Sequence, residues 1–131
     1  LPALLRAGRI QERAAKKGFD WEAGDITSVR DKVLEELDEL RAEVVRMDAV
    51  ATEEELGDLL FAMANLSRHL GLDPEGALQA AHAKFVERFR DVERIAKRQS
   101  MDMETLPLGR LDVLWKEAKE TKLAEKTRSK S

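Results

Sequence analysis

The sequence predicts an all-α protein with four main helices in a four-helix-bundle-like fold, followed by a short additional C-terminal helix. Apolar residues recur at helical spacing along most of the chain, and no segment alternates apolar and polar residues as a strand does. The composition is 43% hydrophobic, 37% charged and 5% aromatic, with three prolines, which is typical of a helical protein rather than a β-sandwich or barrel. Four helices with short connections pack most simply as a bundle.

The first predicted helix extends from Leu1 to about Lys17, and the glycine that follows ends it. The next segment, residues 18–25, contains two glycines and two aromatic residues. These features predict an ordered loop, with Phe19 and Trp21 packed against the core.

The second and third helices are predicted from their capping residues. Thr27 or Ser28 is expected to cap the second helix, which extends to about Met47. The third helix follows Asp48 and ends near residue 70. Thr52 with Glu55 also fits a capping box, and this alternative competes with any other role of the Glu55 carboxylate.

The fourth helix begins after Asp73 and extends to about Ser100, and Pro107 and Gly109 then interrupt the helical pattern. A short last helix is predicted from residue 111 to residue 122. We expect residues 1–122 to form one domain and residues 123–131 a polar, flexible tail. The first residue is leucine rather than methionine, which is compatible with a domain from a longer chain.

Charge and composition exclude several classes of function. Lysine and arginine number 23 against 26 acidic residues, so the net charge of −3 offers no field for a nucleic acid polymer. The absence of cysteine excludes thiolate metal sites and fits a cytoplasmic location. No apolar run reaches the roughly 18 residues of a membrane span, so no membrane association is expected.

Two acidic clusters stand out, EELDE on the second helix and ELGD on the third. At about 100° per residue, Glu36 and Glu39 lie on one flank of the second helix, one turn apart, and Glu35 lies further towards solvent. Glu55 and Asp58 share one flank of the third helix. Both flanks border stripes that we predict to be buried: Val33, Leu37, Leu40 and Val44 on the second helix, and Leu56, Leu60 and Met63 on the third.

Such facing carboxylates form an all-oxygen pocket, which favours magnesium or manganese. Without a cation the acids would repel one another. The alternative is a solvated acidic surface, which is common for a single cluster of this kind. A di-iron carboxylate site is excluded because neither His69 nor His82 has an acid three residues before it, so both histidines are expected to be structural, with His82 partly buried.

Together with GFDW, NLSRHLG and KFxxRF, the two clusters resemble the signature of the MazG family of nucleoside triphosphate pyrophosphohydrolases, in particular the catalytic C-terminal domain of bacterial members. The signature is EExxE followed by ExxD, and the resemblance covers most of the chain. It implies hydrolysis of a nucleoside triphosphate (NTP or dNTP) to the monophosphate and pyrophosphate. It also implies Mg²⁺ as cofactor, with Mn²⁺ as an alternative, and a homodimer or higher homo-oligomer.

The resemblance further implies roles for individual residues. The metal ligands would be Glu36, Glu39, Glu55 and Asp58, and the family pattern favours a third helix that begins before Thr52, which frees Glu55 for the metal. Glu35 would support the site and position or deprotonate water, so the predicted catalytic residues are Glu35, Glu36 and Glu39. The substrate would be bound by Lys32, Lys84, Arg88, Trp115 and Lys119.

Simpler interpretations remain beside these roles. Lys84 and Arg88 could pair with Glu87 or Asp91, and Trp115 could belong to the core. At the level of function, the alternative is a non-catalytic helical module that senses nucleotides or binds another protein. The housecleaning of noncanonical nucleotides is a further expectation of the enzymatic hypothesis.

Overall fold

A computed structural model describes residues 1–129, and this part of the chain contains helices and no strand. The elements are α1 (Ala3–Lys16), α2 (Ile26–Arg46), α3 (Ala49–His69), α4 (Pro74–Arg98), a 3-10 turn (Met103–Thr105) and α5 (Leu108–Ser129). The predicted all-α class is confirmed. No helix in this part of the chain is long and apolar enough to cross a membrane.

The helices belong to two compact units. The first unit comprises Leu1–Leu78, with α1, α2, α3 and the start of α4. The second begins at Gln79 and contains the rest of α4, the 3-10 turn and α5. The two acidic clusters both lie in the first unit.

In the first unit, α2 and α3 form an antiparallel pair joined by two residues. Met47 adopts the left-handed conformation with φ 59°, which ends α2. Asp48 caps α3, because its Oδ1 accepts a hydrogen bond of 3.1 Å from the Ala51 amide. The helix therefore begins before Thr52, as preferred above, and Glu55 is not required for a capping box.

The start of α2 differs from the prediction. Asp25, rather than Thr27 or Ser28, caps the helix, and its Oδ1 accepts a hydrogen bond of 3.1 Å from the Ser28 amide. The helix consequently starts at Ile26. Ser28 therefore contributes its backbone amide to the cap instead of its hydroxyl.

Polar contacts of Asp20 hold residues 18–25 in place, and of the two aromatic residues of this segment only Trp21 lies against α3. The Asp20 Oδ1 atom is 2.7 Å from Nη2 of Arg68 and 2.8 Å from Nε2 of His69, two residues at the end of α3. Trp21 lies edge-on to the His69 ring. Phe19 is 84% exposed, so the prediction that it packs against the core is wrong. The ion pair holds the segment in place without that contact.

The second unit has its own apolar core, which lies between α4 and α5. Five buried residues form this core: Val92, Ile95, Ala96, Leu114 and Ala118. Four partly buried residues pack around it: Met101, Met103, Leu106 and Trp115.

The last helix is longer than predicted. It starts directly after Pro107, whose carbonyl accepts a hydrogen bond of 3.0 Å from the Arg110 amide, and it continues to Ser129. The predicted end of the last helix at Lys122 is therefore wrong, since the helix includes residues 123–129. The reason is that residues 116–126 consist largely of lysine, glutamate and alanine, which are strong helix formers, so the helix continues through them. Residues 130 and 131 lie outside the described part of the chain.

The buried positions of α2 and α3 also differ from the predicted apolar stripes. The buried residues on these helices are Val29, Glu36, Ala62 and Ala64. Five residues of the predicted stripes are 42% to 55% exposed: Leu37, Val44, Leu56, Leu60 and Met63. Helical periodicity located an apolar surface, but within one chain that surface is not fully covered.

Candidate metal centre

The hairpin of α2 and α3 brings all five predicted acids into two overlapping groups. In one group, oxygen atoms of Glu35, Glu36 and Glu39 lie within 4.8 Å of one another. In the other, oxygen atoms of Glu36, Glu55 and Asp58 satisfy the same limit. Glu36 belongs to both groups, and it therefore joins the acids of α2 to those of α3.

Glu36 has one paired oxygen and one free oxygen. The residue is 7% exposed, which is unusual for a glutamate. Its Oε1 lies 3.1 Å from Nζ of Lys32, whereas its Oε2 is buried and has no hydrogen-bond partner among residues 1–129. A buried, unpaired carboxylate oxygen is costly, and a bound cation would satisfy it.

Lys32 supplies a positive charge beside these acids. Its Nζ contacts Glu36 and also lies 3.3 Å from Oε1 of Glu35. Hydrogen bonds to Glu36 and then Glu35 raise the pKa of Lys32 above its ordinary value. One ammonium group faces five acids, so the local charge stays strongly negative.

Glu55 shows the effect of this crowding. Its Oε2 is buried and, like that of Glu36, finds no partner within the described chain. Burial, a side-chain hydrogen bond with Glu39 and the charges of Glu39, Asp58 and Glu36 raise the pKa of Glu55 to about 7. The negative form of this carboxyl is thus disfavoured unless a positive charge approaches it.

The donor set fits a hard divalent cation. All of the donors are carboxylate oxygens, the ligands that Mg²⁺ and Mn²⁺ prefer, and the two buried free oxygens belong to separate helices. Glu35, Glu39 and Asp58 are exposed, so the centre is open to solvent on one side. The arrangement can therefore hold a cation and still admit water and a second ligand.

The remaining predicted substrate residues belong to the second unit. Lys84 and Lys119 are exposed there. The Arg88 guanidinium lies 5.3 Å from the centre of the Trp115 ring, a cation–π geometry. Trp115 also packs against the core of that unit, as the simpler interpretation of this residue predicts. The roles of these four residues in substrate binding stay predictions.

The simpler ion pairs proposed for Lys84 and Arg88 are not formed. Glu87 pairs with Lys122, and Asp91 pairs with Arg94. The hydrogen bond with Lys122 holds the pKa of Glu87 below its ordinary value.

The two histidines lie outside both acid groups. His69 contacts Asp20, which agrees with its expected structural role. His82 is exposed on α4, so the expectation that it is partly buried is wrong.

Two features near the centre were not predicted from the sequence. One is the network of Asp20, Arg68 and Asn65, in which Nη2 of Arg68 donates to both oxygen-bearing side chains, at 2.7 and 2.8 Å. The other is Gln11 on α1, which is only 6% exposed. Neither feature follows from a periodic sequence pattern. For the network, the sequence offered one signal, which is the position of Asp20 in a short loop between two glycines.

The fold and the site define a class of protein: an all-α domain with a cluster of five carboxylates on a helical hairpin that could hold a metal ion. A family model, the MazG nucleotide pyrophosphohydrolase domain, matches residues 24–93, slightly more than half of the chain. The chain belongs to this family. The matched segment contains both acidic clusters and most of α4.

Individual relatives agree with this assignment. The chain is 47% identical over 121 residues to the nucleoside triphosphate pyrophosphohydrolase of Escherichia coli K12, covering 91% of this chain and 45% of that protein. It is also 47% identical over 119 residues to the nucleoside triphosphate pyrophosphohydrolase/pyrophosphatase MazG of Thermotoga maritima, with the same two shares. The uncharacterized protein YabN of Bacillus subtilis is 42% identical over 67 residues, 51% of this chain and 14% of that protein. The chain thus spans less than half the length of the two pyrophosphohydrolases.

Proposed function

We propose that this chain is a catalytic domain that hydrolyses nucleoside triphosphates to the monophosphate and pyrophosphate with Mg²⁺ as cofactor. The observation that carries the proposal is the pair of acid groups joined at Glu36, with two buried carboxylate oxygens that lack partners. Membership of the family and the names of the two pyrophosphohydrolases that the chain resembles support the choice of substrate.

In this proposal Glu36, Glu39, Glu55 and Asp58 hold the metal. The free Oε2 atoms of Glu36 and Glu55 are the natural inner ligands, because each gains a partner that the protein itself does not supply. When bound, Mg²⁺ screens the charge of the triphosphate and stabilises the charge that develops as the anhydride bond breaks.

The protein's own groups would position the reactants and move the proton. Lys32 already lies beside Glu35 and Glu36, where its ammonium group can contact a phosphate oxygen. Glu35 is exposed at the edge of the acid group and is suited to accept a proton from the attacking water. The water oxygen forms a bond to the α or β phosphorus while its proton moves to Glu35. The α–β anhydride bond breaks, and pyrophosphate and the monophosphate separate.

The test is pyrophosphate release from a panel of NTPs and dNTPs, including noncanonical bases, in the presence of Mg²⁺ and then Mn²⁺. We expect release by the wild type and a loss of at least about 100-fold in Glu39→Gln and Asp58→Asn, since each removes a metal ligand. Circular dichroism should show unchanged helix content in both variants. Asp38→Asn is the matched control, because Asp38 is exposed on α2 and outside both acid groups.

Two results would decide against catalysis. Absence of pyrophosphate with every nucleotide and both metals would refute the enzymatic proposal. Tight nucleotide binding without product would instead favour the non-catalytic sensing module. A preference for noncanonical nucleotides would support a housecleaning role.

We also propose that the chain forms a homodimer or higher homo-oligomer. The partly exposed apolar residues on α2 and α3 support this, because side chains such as Leu37, Leu56 and Leu60 would be shielded from water by a second copy. A cytoplasmic location is the matching proposal for a chain without cysteine. Sedimentation equilibrium with and without Mg²⁺ tests the oligomer, and a monomer at all concentrations would refute it.

A further inference from the structure

The outward face of α1 carries a stripe of positive charge, which we call the basic stripe. Four exposed residues, which recur at intervals of three and four positions, form it: Arg6, Arg9, Arg13 and Lys16. At about 100° per residue, each lies within about 40° of the direction opposite Gln11, the residue that bonds α1 to α3. The basic stripe extends about 15 Å along the helix, since each residue rises about 1.5 Å.

No acid neutralises the basic stripe. Its four cations form no ion pair within residues 1–129, and Glu12, the one acid of α1, pairs with none of them. Several exposed cations of the other helices do pair with an acid on their own helix: Arg30 with Asp31, Arg46 with Glu43, and Lys116 with Asp112. Like charges one turn apart destabilise a helix, so the basic stripe costs stability for as long as no anion lies beside it.

The first unit separates its charges between helices. On α1 four cations stand beside one acid, whereas α2 and α3 together carry ten acids and five cations. The net charge of −3 conceals this division. The basic stripe therefore creates a positive local field on an otherwise acidic unit, and the partner that complements it is an anion.

The spacing and the chemistry of the basic stripe favour carboxylates on a helix. Glutamates at intervals of three and four residues form a stripe with the same rise, so each acid of a second helix lying along α1 meets one cation. Three of the four cations are arginines. Their planar guanidinium groups bind a carboxylate through two parallel hydrogen bonds, which fixes the partner's position as well as its charge.

Three other anionic partners fit the basic stripe less well. The net charge of −3 repels a nucleic acid polymer. The inner face of α1 lies against α3, so the helix cannot insert into a lipid surface. In a second copy of this chain, exposed acids of α2 such as Asp31 and Glu35 already pair with Arg30 and Lys32.

We propose that the basic stripe of α1 is a docking surface for an acidic helix of another protein. The basic stripe belongs to neither acid group of the candidate metal centre. Its role is therefore independent of the proposed hydrolysis, and the two proposals can fail separately.

The experiment measures the fluorescence anisotropy of a labelled helical peptide of alanine, glutamine and glutamate, with its glutamates at the intervals of the basic stripe. A second peptide has the same composition, with its glutamates spread around the helix. At low ionic strength we expect the first peptide to bind the wild type about 5-fold more tightly than the second. Added KCl should weaken this binding, because the ion pairs are exposed.

The triple variant Arg6→Gln/Arg9→Gln/Arg13→Gln tests the residues directly. We expect the dissociation constant of the first peptide to rise about 10-fold, which is the combined effect of losing three exposed ion pairs. Replacing the same three arginines by lysine keeps the charge and removes the guanidinium groups. That variant should raise the dissociation constant by less than about 3-fold.

The matched control is Lys97→Gln/Arg98→Gln/Arg110→Gln, which removes the same charge from exposed positions of the second unit. It should leave the binding of both peptides unchanged. Circular dichroism should show equal helix content in every variant. The comparison of the two peptides on the wild type needs no variant, so the proposal stays testable if a variant does not fold.

Several results would overturn the proposal. Absence of binding at low ionic strength, or equal binding of the two peptides, would exclude an acidic helix as the partner. Tighter binding of a single-stranded RNA oligomer or of phosphatidylserine vesicles than of the first peptide would identify a phosphate-bearing partner instead. A sedimentation change confined to the variants of the basic stripe would show that a second copy of this chain occupies it.

Discussion

Replacing Asp58 by asparagine should stabilise the metal-free protein and weaken its response to magnesium. Asp58 has an oxygen within 4.8 Å of oxygens of Glu36 and Glu55, so without a cation it adds repulsion to the fold. Asparagine has almost the same shape and no charge. The change therefore removes repulsion and a metal ligand together, and the two effects have opposite signs.

The magnitude follows from the upper limit of 4.8 Å on the separation of these oxygen atoms. Two like charges 4.8 Å apart repel by about 1 kcal/mol at the dielectric constant of water and by about 2 kcal/mol at half that value. For an exposed residue these values bracket the effect of the Glu36 interaction, so the free energy of unfolding in EDTA should rise by about 1–2 kcal/mol. At a magnesium concentration ten times its dissociation constant, the wild type should gain about 1.4 kcal/mol. A variant that binds tenfold more weakly should gain about 0.4 kcal/mol.

The assay is urea unfolding followed by circular dichroism, in EDTA and across a MgCl₂ series in which KCl keeps the ionic strength constant. Constant ionic strength separates specific binding from the screening of surface charge. Asp38→Asn, outside both acid groups, should differ from the wild type by less than about 0.5 kcal/mol in every condition. The reasoning is refuted if Asp58→Asn is less stable than the wild type in EDTA and responds equally to magnesium.

Two further predictions concern the loops. The Arg68 hydrogen bond, together with contacts to His69, lowers the pKa of Asp20 from 3.8 to about 2. Because the folded pKa is below the unfolded one, the stabilisation is present above pH 4 and is lost as pH falls towards 2. The Asp20 side chain is 20% exposed, and after screening by solvent the stabilisation should amount to about 1 kcal/mol, with about half of it lost by pH 3. Urea unfolding of the wild type and Asp20→Asn from pH 3 to 7 measures it, and a difference independent of pH would contradict it. Met47→Gly should raise the free energy of unfolding by about 1 kcal/mol, because Met47 has φ 59° and an exposed side chain. Met47→Ala, which keeps the Cβ atom, is its control, and equal stability of the two variants would count against backbone strain.

The sequence was sufficient for the helices and for the choice of acids. Helical periodicity and capping residues located α1 to α4 within a few residues, because both signals are local. The spacing of Glu36 with Glu39 and of Glu55 with Asp58 placed each pair on one flank, and the structure brings these flanks together. The end of α5 was missed because residues 125–131, EKTRSKS, are all polar and resemble a tail when composition alone is considered.

Only the tertiary structure decided which side chains are buried. Periodicity assigned Leu37 and Leu56 to the interior, yet both remain partly exposed, while Glu36 is buried beside Lys32. Burial depends on what each face meets, and a helical pattern does not contain that information. The same reason applies to Gln11. Its Oε1 atom lacks a partner because α1 packs beside Phe61 of α3, and the sequence does not contain that contact. The sequence thus determined the helices and the carboxylates, and the packing of α1, α2 and α3 decided which oxygens lack a partner.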